Sequence, residues 1–157
     1  MGYQLQFRVN GRDVAVDVEP EETLRHVLRE RLGLLSVRET CGVGIRGACT
    51  VLVDGKPVSS CLVLAPLTSG RSVLTVEGLG DGRMLDVVQE AFVRHNAFQC
   101  SYCTPGFIMA TRGLLAENPS PSADDVREYL AGNICRCGSY YKILAAVLDA
   151  ARQTTAR

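Results

Sequence analysis

Seven cysteines in a chain of 157 residues fall into two groups, and any fold must satisfy both. Cys41, Cys49 and Cys61 lie in the first half, while Cys100-Ser-Tyr-Cys103 and Cys135-Arg-Cys137 form two tight pairs in the second. An odd count leaves a complete disulfide pairing one thiol short. The N-terminus lacks the basic head and apolar run of a secretory signal, so the expected setting is cytoplasmic, where thiols stay reduced. Metal ligation accounts for the thiols better than disulfides do.

The hydrophobic period divides the chain in two. Gln4 to Val9 and Val14 to Val18 alternate around Asn10-Gly11, a two-residue hairpin signal. Leu24, Val27, Leu28 and Leu32 follow at helical spacing, with Gly33 as the stop. Thr50 to Val53, the turn Asp54-Gly55, and Pro57 to Ser60 read as a second strand pair, and Ser72 to Val76 as another strand. These segments predict a mixed sheet with one helix packed across it. From Leu85 onward the period becomes helical. Leu85, Val88, Phe92 and His95 share one face; Phe107, Thr111 and Leu114 share another, ended by Asn118-Pro119. Ser122 and Asp125 form a capping-box pattern before Val126, Tyr129 and Leu130, and a fourth helix carries Ile143, Leu144, Val147 and Leu148. Four short amphipathic helices predict a small bundle whose members depend on mutual packing. The switch falls in the glycine-rich run Glu77 to Gly82. The expected division is a domain over 1–77, a linker over 78–84 and a helical domain over 85–157.

Composition narrows the classes. At 46% hydrophobic and 22% charged the chain is globular, and 17 basic against 17 acidic residues cancel to a formal charge of zero. A neutral chain has no basic field to recruit nucleic acid or an anionic membrane. No apolar run reaches membrane-spanning length.

Both cysteine pairs of the second half stand at helix ends, so folding the bundle can gather Cys100, Cys103, Cys135 and Cys137. Four thiolates suit zinc or an iron–sulfur cluster, and their spacing alone does not separate the two. Reduced core cysteines are the plainer alternative, but tight pairs beside glycine and proline argue against it. In the first half, Gly42, Gly44 and Gly47 surround Cys41 and Cys49. Such a loop can wrap closely and aim N–H groups inward, which favours bridging sulfides more than zinc.

With these residues assembled, the chain resembles the small iron–sulfur subunit of the molybdenum hydroxylases, the family of xanthine dehydrogenase and carbon monoxide dehydrogenase. The first motif matches at Cys41, Gly47-Ala48-Cys49-Thr50-Val51 and Cys61. The second matches at Gln99-Cys100, Tyr102-Cys103-Thr104-Pro105-Gly106 and Asn133-Ile134-Cys135-Arg136-Cys137-Gly138. The resemblance covers almost the whole chain, including Leu32-Gly33-Leu34 and Val76-Glu77-Gly78-Leu79. It implies an α+β protein with a plant-ferredoxin-like (β-grasp) N-terminal domain and an all-α four-helix-bundle domain, each with one [2Fe–2S] cluster. It also implies a hetero-oligomer with a large subunit carrying molybdenum bound to a pterin dinucleotide, and a medium subunit carrying FAD. Electrons would pass from molybdenum through the C-terminal cluster, then the N-terminal one, to FAD. Gln99 and Cys137 match positions that lie against the pterin. The small subunit itself performs no bond chemistry on a substrate.

One position breaks the pattern. Where the family has its second N-terminal ligand, this chain has Arg46. The N-terminal cluster could be absent, could form on Cys41, Cys49 and Cys61 with another group, or could take Arg46 as a ligand; the arginine could also be an introduced substitution. A protonated guanidinium has no lone pair to give, so direct ligation is the costliest of these. A three-thiolate cluster would be less negative than a four-thiolate one and would sit at a higher reduction potential. A zinc-stabilised assembly module and a one-cluster docking scaffold are the competing functions.

The remaining polar residues have ordinary expectations. His26 and His95 read as surface or capping residues, and Arg136 as solvent-facing. Glu21, Glu22, Arg25, Arg29 and Glu30 read as a solvated helix face, and Asp124 and Asp125 as helix-start charges.

Overall fold

A computed structural model describes residues 2–80 and 82–155. Asp81, within the joint expected at 78–84, lies outside the described residues. The strands β1 (Tyr3–Val9) and β2 (Arg12–Val18) form the expected antiparallel hairpin. Asn10 and Gly11 both take positive φ at its turn, the geometry that matches the twist of the flanking strands. In β1, Leu5, Phe7 and Val9 point inward while their neighbours face solvent.

The sheet is completed by β3 (Thr50–Val53), β4 (Lys56–Ser59) and β5 (Ser72–Leu74), in the order β2-β1-β5-β3-β4. β1 and β5 run parallel, and the other pairings are antiparallel. Helix α1 (Leu24–His26) continues through a wider turn over Val27–Arg31. It buries Leu24, Val27 and Leu28 against the sheet.

All four residues of β3 are buried, although an antiparallel strand facing one core would alternate. Val51 and Val53 belong to the core shared with α1, whereas Leu52 belongs to the core of the helical layer. β3 is therefore covered on both faces. This strand begins immediately after Cys49, so the first cysteine loop is anchored where the two layers meet.

The helical layer contains α2 (Val87–Arg94), α3 (Thr104–Glu117), α4 (Ala123–Tyr129) and α5 (Tyr140–Thr155). α3 is central and buried on most of its surface, with Phe107, Met109, Thr111 and Leu114 inside. Ser122 and Asp125 form the expected capping box on α4. Leu85 departs from expectation: it precedes α2 and is exposed, because Asp86 caps the helix and starts it at Val87. Val76 likewise leaves the strand for a short turn over Val76–Gly78.

The joint between the layers is pinned. The Asn10 side chain donates to Thr75 Oγ1 (3.0 Å) and accepts from the Thr75 N–H (2.9 Å). The Glu77 carboxylate accepts from the Ser36 N–H (2.8 Å) and hydroxyl (2.5 Å) and from the Thr75 hydroxyl (2.6 Å). The face expected to be solvated is partly covered as well. Arg25 pairs with Glu39 at 2.9 Å, and Glu22 holds Arg31 at 2.7 Å. The Arg25 and Glu22 side chains are only 15% and 13% exposed, so they tie α1 to neighbouring chain.

Candidate metal centres

The four cysteines of the helical layer come together from two loops. Cys100 and Cys103 precede α3, with Cys103 at its N-cap; Cys135 and Cys137 lie in the turn between α4 and α5. Cys100 and Cys137 are exposed and stand 3.6 Å apart, sulfur to sulfur. Cys103 and Cys135 lie deeper, and each influences the other's thiol. Among the described residues no cysteine, histidine or carboxylate group of three converges as a single-ion site.

The separation fits the chemistry. Two thiolates on one tetrahedral metal at about 2.3 Å stand about 3.7 Å apart. One outward pair and one inward pair would suit a [2Fe–2S] cluster, with Cys100, Cys103, Cys135 and Cys137 as the residues that could hold it. Electrostatics sort the thiols. The Tyr102 N–H and the Cys137 thiol hold Cys100 below its usual range. Burial pushes Cys103 up to about 12, reinforced by Cys135. Burial also acts on Cys135, but hydrogen bonds led by the Ser139 N–H, at 3.4 Å from its sulfur, more than offset it. Such donors favour the thiolate that a metal requires.

Side chains behind the pairs fix the loops. Gln99 Nε2 donates to the Cys137 carbonyl at 2.9 Å. The Cys135 N–H donates to the Tyr140 hydroxyl at 3.0 Å, and the Tyr140 ring packs edge-on against Phe107. Gln99 is itself exposed beside Cys100 and Cys137, so all three share one open face.

The first loop gathers its three thiols differently. Cys49 and Cys61 are buried against each other, and Cys41 lies close enough to influence Cys61. Burial and the Cys49 sulfur push the Cys61 thiol up to about 11, against a donated hydrogen bond from the Gly44 N–H. The Val43 N–H is the main cause holding Cys41 below its usual range, aided by the N–H groups of Arg46 and Ile45. The loop thus turns successive N–H groups onto one sulfur, as a nest does for an anion.

Arg46 takes part through its backbone. Its N–H points to Cys41, and its carbonyl accepts from the Ile134 N–H at 3.1 Å. Its side chain is exposed and, among the described residues, has neither an ion pair nor a hydrogen bond. Three thiols are present here, and they do not make a four-thiolate site.

The two cysteine loops are knit together. Asn133 Nδ2, buried, donates to the Gly47 carbonyl at 3.0 Å and to Thr50 Oγ1 at 3.4 Å. A Cβ on Gly106 would lie 2.1 Å from the Gly47 carbonyl oxygen, so only glycine lets α3 approach the loop this closely. Arg38 donates to the Ser101 carbonyl and lies over the Tyr102 ring, 5.2 Å from its centroid. The Tyr102 hydroxyl donates to the Glu39 carbonyl at 2.8 Å. Asn133, Gly106 and Tyr102 stand within the sequence motifs, but their partners lie far along the chain, 63 residues away for Tyr102 and 86 for Asn133, and leave no local signal. Arg38 lies outside any motif. His26 and His95 pair with Glu22 and Asp149, away from the cysteines, and Arg136 is exposed.

Comparison with known proteins gives the same assignment. Residues 7–75 match the 2Fe-2S iron-sulfur cluster binding domain, and residues 75–148 match the [2Fe-2S] binding domain. The chain is 49% identical over 150 residues to the nicotine 6-hydroxylase small subunit of Paenarthrobacter nicotinovorans, covering 96% of this chain and 90% of that one. It is 45% identical over 148 residues to the xanthine dehydrogenase iron-sulfur-binding subunit of Escherichia coli O157:H7, covering 92% of each. Among solved structures, quinoline 2-oxidoreductase from Pseudomonas putida 86 superposes with a TM-score of 0.94 at 41% identity, over 99% of this chain and 97% of that chain. The chain belongs to the small [2Fe–2S] iron–sulfur subunits of the molybdenum hydroxylase family and is the electron-transfer subunit of an oxidoreductase complex.

Proposed function

We propose that this chain relays electrons from a molybdenum–pterin cofactor on a large partner subunit towards FAD on a medium subunit, with an N-terminal centre altered by Arg46. The observation that carries the relay is the four-thiol arrangement in the helical layer, where one pair is exposed and one faces inward. A [2Fe–2S] cluster held there supplies one-electron transfer and no bond chemistry on a substrate.

In this reading Cys100, Cys103, Cys135 and Cys137 are the C-terminal ligands, and Cys41, Cys49 and Cys61 are the N-terminal ones. Gln99 and Cys137, on the open face, meet the pterin of the large subunit; the Gln99 hydrogen bond keeps the Cys137 loop in place for that contact. The Ile134–Arg46 hydrogen bond supports a short path between the centres, because Ile134 adjoins Cys135 and the Arg46 N–H meets Cys41. Val43, Ile45 and Leu62 form an exposed apolar rim around the first loop, which suits the docking of a flavin subunit. We also propose that the chain divides functionally at the joint 78–84, with one centre on each side.

A second reading rests on Arg46: the first loop holds no cluster and serves as a docking surface. Iron and labile-sulfide counting on the purified complex separates the readings. About four irons per chain support two centres, and about two support one. Zinc without sulfide contradicts the relay.

A further inference from the structure

Ser139 stands where a helix cap would stand, and it does not cap. It directly precedes α5, and its carbonyl accepts from the Ile143 N–H at 3.0 Å. A serine in that place ordinarily turns its hydroxyl onto an N–H of the first helical turn. Here the residue is 3% exposed, and its hydroxyl makes no hydrogen bond among the described residues. Burying a hydroxyl without a partner is unfavourable, so such a group points to an acceptor that the protein alone does not supply.

The turn that delivers this hydroxyl is built around Cys135. The Gly138 N–H donates to the Cys135 carbonyl at 3.2 Å, and Gly138 takes a φ of 80°, which folds the chain back over the cysteine. The Ser139 N–H then meets the Cys135 sulfur at 3.4 Å, and the Tyr140 hydroxyl receives the Cys135 N–H at 3.0 Å. Burial opposes the charged form of that sulfur; the Ser139 N–H, the Cys103 thiol and the Ser139 hydroxyl favour it. The hydroxyl is thus beside the Cys135 sulfur and has no competing acceptor.

We infer that the Ser139 hydroxyl donates to the Cys135 sulfur when that sulfur is a cluster ligand, and so raises the reduction potential of the C-terminal centre. The inference deepens, and rests on, the electron-transfer reading. A neutral thiol sulfur accepts hydrogen bonds weakly, whereas a metal-held thiolate accepts a charge-assisted one. Hydrogen bonds to the sulfurs are one of the protein's levers on a cluster's potential. Reduction adds negative charge, so a donor aimed at the sulfur stabilises the reduced centre more than the oxidised one. The proton stays on the Ser139 oxygen, and no electron passes through the residue. Ser139 acts through Cys135 and is a positioning residue.

The test uses the assembled complex and follows the paramagnetic signal that Cys135→Ser alters. Its potential is read by stepwise reductive titration at low temperature. Ser139→Ala removes the hydroxyl and keeps the N–H. It is expected to disfavour reduction of that centre roughly tenfold, the size of one hydrogen bond to a charged group. For a one-electron couple that is a potential lowered by about 59 mV. Ser139→Thr keeps a hydroxyl and should stay near the wild-type value. Pulsed spectra of the reduced complex in H2O and D2O give a second readout. One exchangeable proton coupled to the centre in the wild type should be absent from Ser139→Ala.

An unchanged potential in Ser139→Ala overturns the inference. So does an equal lowering in Ser139→Ala and Ser139→Thr, which would assign the effect to packing. The same set of exchangeable couplings in wild type and Ser139→Ala overturns it as well. In each of these cases the iron–sulfur signal persists and the electron-transfer reading stands. Zinc without sulfide overturns both, so the two failures are distinct.

Discussion

The Asn133 side chain reaches across the layers to the carbonyl of Gly47, 86 positions earlier in the chain, at 3.0 Å. That bond ties the residue two places before Cys135 to the residue two places before Cys49. The two cysteine loops therefore form one structural unit, and disturbing either should be felt at both.

Replacing Asn133 with leucine removes the bond between the loops, while the Gly47 carbonyl keeps the Thr50 N–H at 3.1 Å and the Thr50 hydroxyl at 2.7 Å. The net loss of one hydrogen bond costs about 0.5–1.5 kcal/mol. Denaturant unfolding of the complex-free chain should show a loss of that size. Replacement by aspartate should be at least as damaging, because a carboxylate cannot donate to a carbonyl.

The contact at Gly106 is steric. Gly106→Ala would place a methyl 2.1 Å from the Gly47 oxygen, and backbone on both sides limits relief. The expected cost is about 1–3 kcal/mol, typical of overpacking. Gly113→Ala is a useful contrast. Its Cβ would meet the Pro57 ring at 2.8 Å, far from the cysteine loops, so it should lower stability without altering the cluster spectra.

Arg38 and Tyr102 make a second clasp, between the first loop and the Cys100 turn. Arg38→Ala removes both the hydrogen bond to Ser101 and the cation over the ring. A cation–π contact at a partly exposed site contributes about 0.5–1 kcal/mol, and the hydrogen bond a similar amount. The variant should unfold earlier and show a changed line shape for the C-terminal signal. Tyr102→Phe keeps the ring, loses the hydroxyl bond to Glu39, and should give the smaller effect.

Glu77 gives the joint a pH dependence of known sign. Burial opposes its charge, but hydrogen bonds from the Ser36 hydroxyl and N–H and the Thr75 hydroxyl hold its carboxyl below the usual glutamate range. A carboxylate with a depressed folded-state pKa adds stability above its unfolded pKa, near ~4.3, and loses it as pH falls through the folded value. Stability measured from pH 7 down to pH 3 should therefore decline less steeply in Glu77→Gln than in the wild-type chain. A parallel decline would remove Glu77 as a contributor.

Much of this architecture was legible along the chain, and the reasons are local. Asn10-Gly11 encoded its turn, Ser122 and Asp125 their capping box, and the shift from alternation to helical spacing separated the layers. The paired cysteines announced a four-thiol centre because C-x2-C and C-x-C spacing at helix ends leaves few other uses. What stayed hidden depends on distance. Nothing local tells that Leu52 faces a different core from Val51 and Val53, since a strand covered on both faces has no alternation to read. Leu85 fitted the helical period yet fell outside the helix, because the Asp86 cap outweighed one further apolar position. Glu22 and Arg25 looked solvated from their charge, but ion pairs with Arg31 and Glu39 drew them under cover.

The most direct measurement is the metal and labile-sulfide content of the purified complex, taken together with its reduced low-temperature spectrum. Iron with matching acid-labile sulfide is expected, with a [2Fe–2S] signal that Cys100→Ser and Cys135→Ser each alter. Zinc in place of iron, or a signal unaffected by both substitutions, would contradict the assignment of the four thiols as the electron-transfer centre.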